Sequence, residues 1–525
     1  MPNLEGLPSE LLLSVARYLP QSDLYSLAST CRKLLSTAED ILYDAPVIGM
    51  PYSEEYQNPI AMRNRVFTFA QTILHHPRLA SKVRLFSVSA SKGGAEFTVH
   101  PDAMSLAAGY LREIGLHSPP WANRVGDWMR RLNVGDGVAW TGLILAIIPK
   151  LCNLTIEILS DSGFTTASTY DSYHRYRHEH LEGLFGYLDE ACDPASLLPP
   201  DLTAILGLRR LETLYYLGYD IASSWVSLPK LQTLKIAHEG RCPDLKRAQT
   251  QNEIPSPGIN VQNVVLEVST LLLNFNPTIR SGALEDHFLS SSLYPRSREV
   301  KLYLNNQQYN PDYSFVEDDE DPDRYHECID IIETPGQGEA DMLLNRMIPL
   351  SRTLPGLRID VYKDLDSSFL HYVSPFSSFC AFEALTLLSL PQMLLLGADY
   401  GVPGQQHQSV PIHQLLPRTL EYLEITSPYT SVVDWLEELR SYSELMPQLE
   451  NVTLVCSDSR GDPYPALRSH IEVWAEEATA PGFCVQVFWS DGDLSPWWPQ
   501  GAWSHDCDPY VMRLVRYLER LHIGK

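Results

Sequence analysis

The chain has 525 residues, 44% of them hydrophobic and 20% charged, with a formal net charge of −25. That composition suits a globular protein with material for a large core, and its acidity argues against a partner with a phosphate backbone. Glu5 and Glu10 interrupt any signal-peptide pattern, and the longest apolar run, Val138 to Ile148, is too short to span a bilayer. The expected setting is cytoplasmic or nuclear, with no membrane and no secretion. Nine cysteines without paired spacing are then expected free, and the Asn153-Leu-Thr and Asn451-Val-Thr triplets read as strand residues rather than glycosylation sites. The 38 prolines and 29 glycines predict many short elements joined by turns.

Residues 7 to 43 carry too much apolar surface for their length. A first helix is predicted from Ser9, whose hydroxyl can cap the first turn, with Glu10 where the helix dipole favours a carboxylate. Leu11, Leu12, Val15, Ala16 and Leu19 fall at helical spacing, and Pro20 ends the helix. Ser22 can cap a second helix, on which Leu24, Leu27, Ala28, Cys31, Leu34 and Leu35 form one stripe. A short third helix is predicted from Ala38 to Tyr43. A segment of roughly forty residues cannot bury these stripes alone, so the rest of the chain or another protein must cover them.

Leu7-Pro8, Glu10, the Leu11-Leu12 pair, Val15, Tyr18-Leu19-Pro20, Asp23-Leu24, Leu27, Cys31-Arg32 and Leu42-Tyr43 together resemble the F-box, the adaptor-binding module of cullin-RING ubiquitin ligases. The resemblance covers under a tenth of the chain. It departs from the pattern at Leu34, where that family often has an aromatic residue. It implies a Skp-type adaptor as partner and, through it, a cullin-RING complex. The implied adaptor-facing set is Leu7, Pro8, Leu11, Leu12, Val15, Leu19, Leu24, Leu27 and Leu35, some of which must also serve the module's own core.

A linker is expected over 44–59, then helices over 61–74, 104–114 and 121–132, with a first strand at 83–88 and a buried helix over 138–148. From there a Leu-x-x-Leu-x-Ile phrase recurs. Copies begin at Leu151, Leu211, Leu231, Val261, Phe382, Leu420 and Leu449; Val300–Leu304 and Leu357–Val361 keep the strand half, and Val485–Trp489 is a last strand. The alternating half buries one side of a short strand, and a unit of this kind completes its core only by stacking on its neighbours. Helices are expected between strands, at 432–442 and 467–478. Later copies are roughly thirty residues apart, long and irregular for leucine-rich repeats.

The predicted fold class is α/β: a small helical F-box followed by an irregular leucine-rich-repeat-like solenoid, similar to those behind fungal F-boxes. The predicted domains are 1–45 for the helical module, 46–80 for a linker and connecting helix, and 81–525 for a recognition domain with a C-terminal cap. That cap would draw on the tryptophans at 489, 497, 498 and 503 and a helix over 509–521. A layered α/β sheet is the alternative. The acidic stretch 315–324 and the segment 397–408 read as surface insertions.

No catalytic constellation emerges. His174, His178 and His180 sit among arginines without a metalloprotease arrangement, Gly336-Gln-Gly338 is only a fragment of a dinucleotide pattern, and Cys31 lies in a packing stripe. No metal or cofactor is expected. The leading reading is a substrate-recognition subunit of an SCF-type ubiquitin ligase, not an enzyme, with no nucleic acid partner. Its unknown protein target would meet outward strand residues: Thr213, Tyr215, Thr233, Lys235, Lys301, Tyr303, Arg358, Tyr422, Glu424 and Thr453. A non-degradative scaffold is the second reading, and an enzyme with an unrecognised site the third.

Overall fold

Each leucine phrase becomes a tight turn followed by a parallel strand. The computed structural model describes residues 7–19, 21–48, 59–91, 93, 99–117, 119–159, 181–185, 201–217, 221, 223–237, 260–269, 273, 297–305, 338–361, 367–397, 410–429, 431–457 and 483–490. The expected acidic insertion, the histidine cluster, most of 397–408, the helix over 467–478 and the C-terminal cap beyond 490 lie outside the described residues. The chain divides into two compact units, Met1–Gly218 with Leu228–Leu231, and Tyr219–Ser227 with Gln232–Asp493.

The first unit opens with three helices, α1 (Ser9–Ala16), α2 (Gln21–Ala28) and α3 (Arg32–Leu42). The single helix expected across residues 24–35 is therefore two. Its break has a local cause: the Ser29 and Thr30 hydroxyls donate back to the carbonyls of Tyr25 and Leu27 (3.0 and 2.7 Å), and Cys31 is extended at φ −157°. The expected serine cap at Ser9 is also absent, because the helix follows Pro8, which has no side-chain hydroxyl to offer, and Ser9 is already helical. Strand β1 (Val47–Ile48) follows, then α4 (Pro59–His75), α5 (Pro77–Ala80), β2 (Leu85–Ser91), α6 (Pro101–His117), α7 (Pro119–Asn133), α8 (Gly137–Ile147), β3 (Asn153–Leu159) and β4 (Thr213–Leu217). The strands run β1-β2-β3-β4, all parallel.

Every residue of α8 is buried. Its first turn is held by Asp136, whose carboxylate accepts from the Val138 amide at 3.0 Å and pairs with Arg131 at 2.7 Å. Trp140 meets Phe67 of α4 edge-on at 4.8 Å. Gly142 lets the helix touch the 181–185 turn: a Cβ there would collide with the Leu184 carbonyl oxygen.

The second unit contains α9 (Ser223–Val226), β5 (Thr233–Ala237), β6 (Asn263–Ser269), β7 (Glu299–Asn305), β8 (Gly338–Glu339), α10 (Ala340–Met347), β9 (Gly356–Val361), β10 (Val373–Ser374), β11 (Leu387–Pro391), α11 (Gln392–Leu396), α12 (Ile412–Leu415), β12 (Tyr422–Thr426), α13 (Val432–Ser441), β13 (Asn451–Ser457) and β14 (Cys484–Ser490). Its main sheet runs β5-β6-β7-β9-β11-β12-β13-β14, parallel throughout, with β8 and β10 paired separately. Strand order follows chain order, so each crossover leads to the neighbouring strand.

The strands stand in register. Leu234, Val264, Val300, Leu357, Leu388, Leu423 and Val452 lie opposite one another on one face, each no more than 1% exposed. The leading residues of the phrase, among them Leu151, Leu211, Leu231 and Leu420, are completely buried. One expected copy is out of frame. The copy placed at Phe382–Leu387 is really Leu385–Leu390, because Leu387 pairs with Tyr422. Phe382 and Leu385 instead form consecutive turns, the Leu385 amide donating to the Phe382 carbonyl at 3.2 Å. A leucine-like residue at every third position offered two frames.

Cys31, Cys152, Cys380, Cys456 and Cys484 are free. Burial pushes the Cys456 thiol up to about 12.

Gly142→Ala should destabilise the protein by about 2 kcal/mol or more through overpacking. Gly126→Ala, on α7 with nothing within 4 Å of the new Cβ, should stabilise it by about 0.5–1 kcal/mol. Denaturant midpoints of the two variants should therefore move in opposite directions.

Candidate functional site

The helical head is only half sealed. Leu12, Ala16, Leu24, Leu34, Ala38, Ile41 and Leu42 are buried, with Leu13, Leu19, Leu27, Ala28 and Tyr43 packed partly against its core. On the other side of α1 and the turn that ends it, Leu11, Val15 and Tyr18 are 52%, 50% and 89% exposed. Spaced by four and then three, they make one solvent-facing apolar stripe. Tyr25 on α2 and Leu35 on α3 are exposed as well. Five of the eleven exposed large hydrophobics among the described residues thus fall within residues 11–35, which marks this surface as one built to be covered.

The nine residues expected to face an adaptor divide accordingly. Pro8, Leu11, Val15 and Leu35 are exposed. Leu7 is half-buried, its carbonyl accepting from the Lys33 ammonium at 2.8 Å. Leu19 and Leu27 lean on the head's core, and Leu12 and Leu24 are buried within the chain, 2% and 0% exposed. Leu12 and Leu24 point into the head itself and offer nothing to a visitor. Tyr18 and Tyr25 were absent from the expected set; the spacing of Tyr18 from Leu11 and Val15 was a signal for the first of them.

Residues 4–48 match the F-box-like family. The matched segment spans α1 to α3 and ends with β1, so the open apolar stripe belongs to the F-box-like head. No curated protein matches the chain.

The ten strand residues expected to meet a target share one face of their sheets but are not an open surface. Tyr215, Lys301, Arg358, Glu424 and Thr453 are buried, and the other five are half-buried. In the second unit, Lys301, Arg358, Ser389, Glu424 and Thr453 stand opposite one another across five strands. Arg358 is bracketed by two carboxylates: its Nε pairs with Glu299 and its Nη1 donates to Glu424 at 3.1 Å. The Ser389 hydroxyl donates to the same Glu424 oxygen at 2.8 Å, and the Tyr422 hydroxyl donates to Thr453 at 2.8 Å. Parallel strands bring such side chains close enough to satisfy each other, which removes them from solvent. Burial, then the Glu424 carboxylate, push the Tyr422 phenol up to about 12.

Among the described residues no group of three or more His, Cys, Asp or Glu could hold a metal ion, and no helix is long and apolar enough to cross a membrane.

Leu24→Ala should cost about 2–5 kcal/mol in the stability of the head, whereas Leu11→Ala should change it by less than about 0.5 kcal/mol. Amide exchange across α1 to α3 checks both. Tyr422 gives a pH test. The folded phenol keeps its proton to about 12 and the unfolded one only to about 10, so stability is complete below pH 10 and falls as pH rises towards 12. Tyr422→Phe should flatten that alkaline decline in melting temperature.

Proposed function

We propose that this chain is a substrate-recognition subunit of an SCF-type ubiquitin ligase. The F-box-like head docks on a Skp-type adaptor, which joins it to a cullin-RING complex, while the parallel sheets, read as a leucine-rich-repeat-like array, hold a protein target. The observation that carries this reading is the exposed Leu11–Val15–Tyr18 stripe, flanked by Leu35 and Tyr25, on the segment that matches the F-box-like family. An adaptor with a complementary apolar groove is the partner this reading gives the stripe.

The mechanism is proximity. Tethering a target beside a charged ubiquitin-conjugating enzyme replaces a bimolecular encounter with a local one, and the receptor needs no nucleophile or general base of its own. Solvent-exposed leucine and tyrosine on a rigid helix suit the docking end, because they bring large apolar area at little entropic cost.

Titration of the full-length chain with a recombinant Skp-type adaptor tests this. Combined Leu11→Ala and Val15→Ala should weaken the complex by about fifty-fold or more without lowering the melting temperature. Leu116→Ala, an exposed leucine on α6, should leave affinity unchanged. Absence of binding by the wild-type chain, or equal binding by the double variant, would refute the proposal.

A further inference from the structure

Most of the described phrases start their strands in the same way. Two successive amides donate to one carbonyl of the preceding strand's turn: Cys152 and Asn153 to Arg84 (2.8 and 3.1 Å), Glu212 and Thr213 to Cys152 (2.8 and 3.0 Å), Gln262 and Asn263 to Gln232 (2.8 and 3.0 Å), and Glu450 and Asn451 to Glu421 (2.9 and 3.2 Å). The same fork occurs once where no phrase was expected. Arg84 and Leu85 donate to the Asp44 carbonyl at 2.9 and 3.0 Å. Asp44 lies inside the segment that matches the F-box-like family, and the β1 register places Ile48 opposite Val88, the position of a phrase's last apolar residue.

Side chains reinforce this first rung. The Arg84 guanidinium forks onto the Asp44 carboxylate at 2.5 and 2.9 Å, and that carboxylate is only 13% exposed. Lys82 pairs with Asp40 at 2.6 Å and Arg78 with Glu39 at 3.2 Å, both more open to water and individually weak. Tyr43 stacks on Phe69 of α4 (6.1 Å between centroids), which stacks on Phe86 of β2 (5.8 Å). Arg84 is the node: its side chain and amide hold the head, and its carbonyl starts β3.

We infer that residues 43–48 are the first turn of the strand ladder, so that the helical head opens and closes with β2 as one cooperative unit, with Asp44 and Arg84 as its positioning pair. In an array where each turn is stabilised by its neighbour, a terminal turn borrows stability through that interface and returns it. Occupancy of the exposed stripe on α1 would then be felt in β2, although β2 does not carry the stripe. This last consequence rests on the adaptor-docking reading; the cooperative unit does not.

Native-state amide exchange on the full-length chain tests the inference. The slowest amides of α3 and those of β2 should share one opening rate, and Arg84→Ala should accelerate both by about tenfold. Arg84→Lys, which keeps the charge but loses the fork, should fall between, and the Asp44→Arg, Arg84→Asp exchange should recover most of the loss. A wild-type α3 that opens far faster than β2, or an Arg84→Ala effect confined to one of them, overturns the cooperative unit. With a Skp-type adaptor bound, β2 amides should slow in the wild type and much less in Arg84→Ala. If the adaptor does not bind at all, the docking proposal fails while the exchange comparison still decides the cooperative unit. If it binds and β2 is unmoved, coupling fails while docking stands.

Discussion

The forked hydrogen bond that opens most of the strands sets the register on which the rest of the structure depends. Two adjacent amides would otherwise be left without partners where the chain turns from crossover to strand, and a buried orphan amide is costly. Giving both to one carbonyl of the previous turn fixes the new strand against the old one, with no freedom to slip. Once register is fixed, the apolar residues of every strand align on one face and the polar ones on the other, and a one-residue error would exchange the two.

That constraint explains what was legible in the sequence. The phrase could be read because its leading residue, its fourth and its sixth are all buried, and burial demands leucine-like side chains at fixed intervals. Strands and the helices 61–74, 104–114, 121–132 and 432–442 were visible for the same reason. Frame was less visible. Around Phe382, leucine-like residues recur every third position through Leu385 and Leu388, so apolar pattern alone could not say which began the strand, and only the carbonyl that accepts the fork distinguishes them. The first rung was hidden for a different reason: Tyr43-Asp44-Ala45-Pro46-Val47-Ile48 has a tyrosine and a proline where other copies have leucine, so it read as linker.

The head shows the converse case. Its apolar residues were visible, yet pattern could not tell which belonged to the interior. Leu11 and Leu12 are adjacent and chemically identical, and only the direction of α1 decides that Leu12 is sealed and Leu11 is open. The broken helix at Ser29–Cys31 matters here. It lets α3 turn back so that Ala38, Ile41 and Leu42 close the core beneath Leu24. A continuous helix across 24–35 would have put Leu24 and Leu35 on one rod and denied the head this small core.

The polar rung in the second unit is best understood beside the apolar one. An ion pair held away from water contributes little net stability, because desolvation offsets most of the attraction, but breaking it leaves an uncompensated charge. Arg358 between Glu299 and Glu424 therefore adds less to the depth of the folded state than to its uniqueness. Strands of similar apolar character could pair in several orders, since leucine packs acceptably against valine or isoleucine in any of them. An arrangement that moved β9 away from β7 would strand Arg358 without Glu299, and one that moved it away from β11 would take Arg358 out of reach of Glu424. Leucines make the array cohere; the charges specify which strand lies beside which, and they can do so only because they are taken out of solvent.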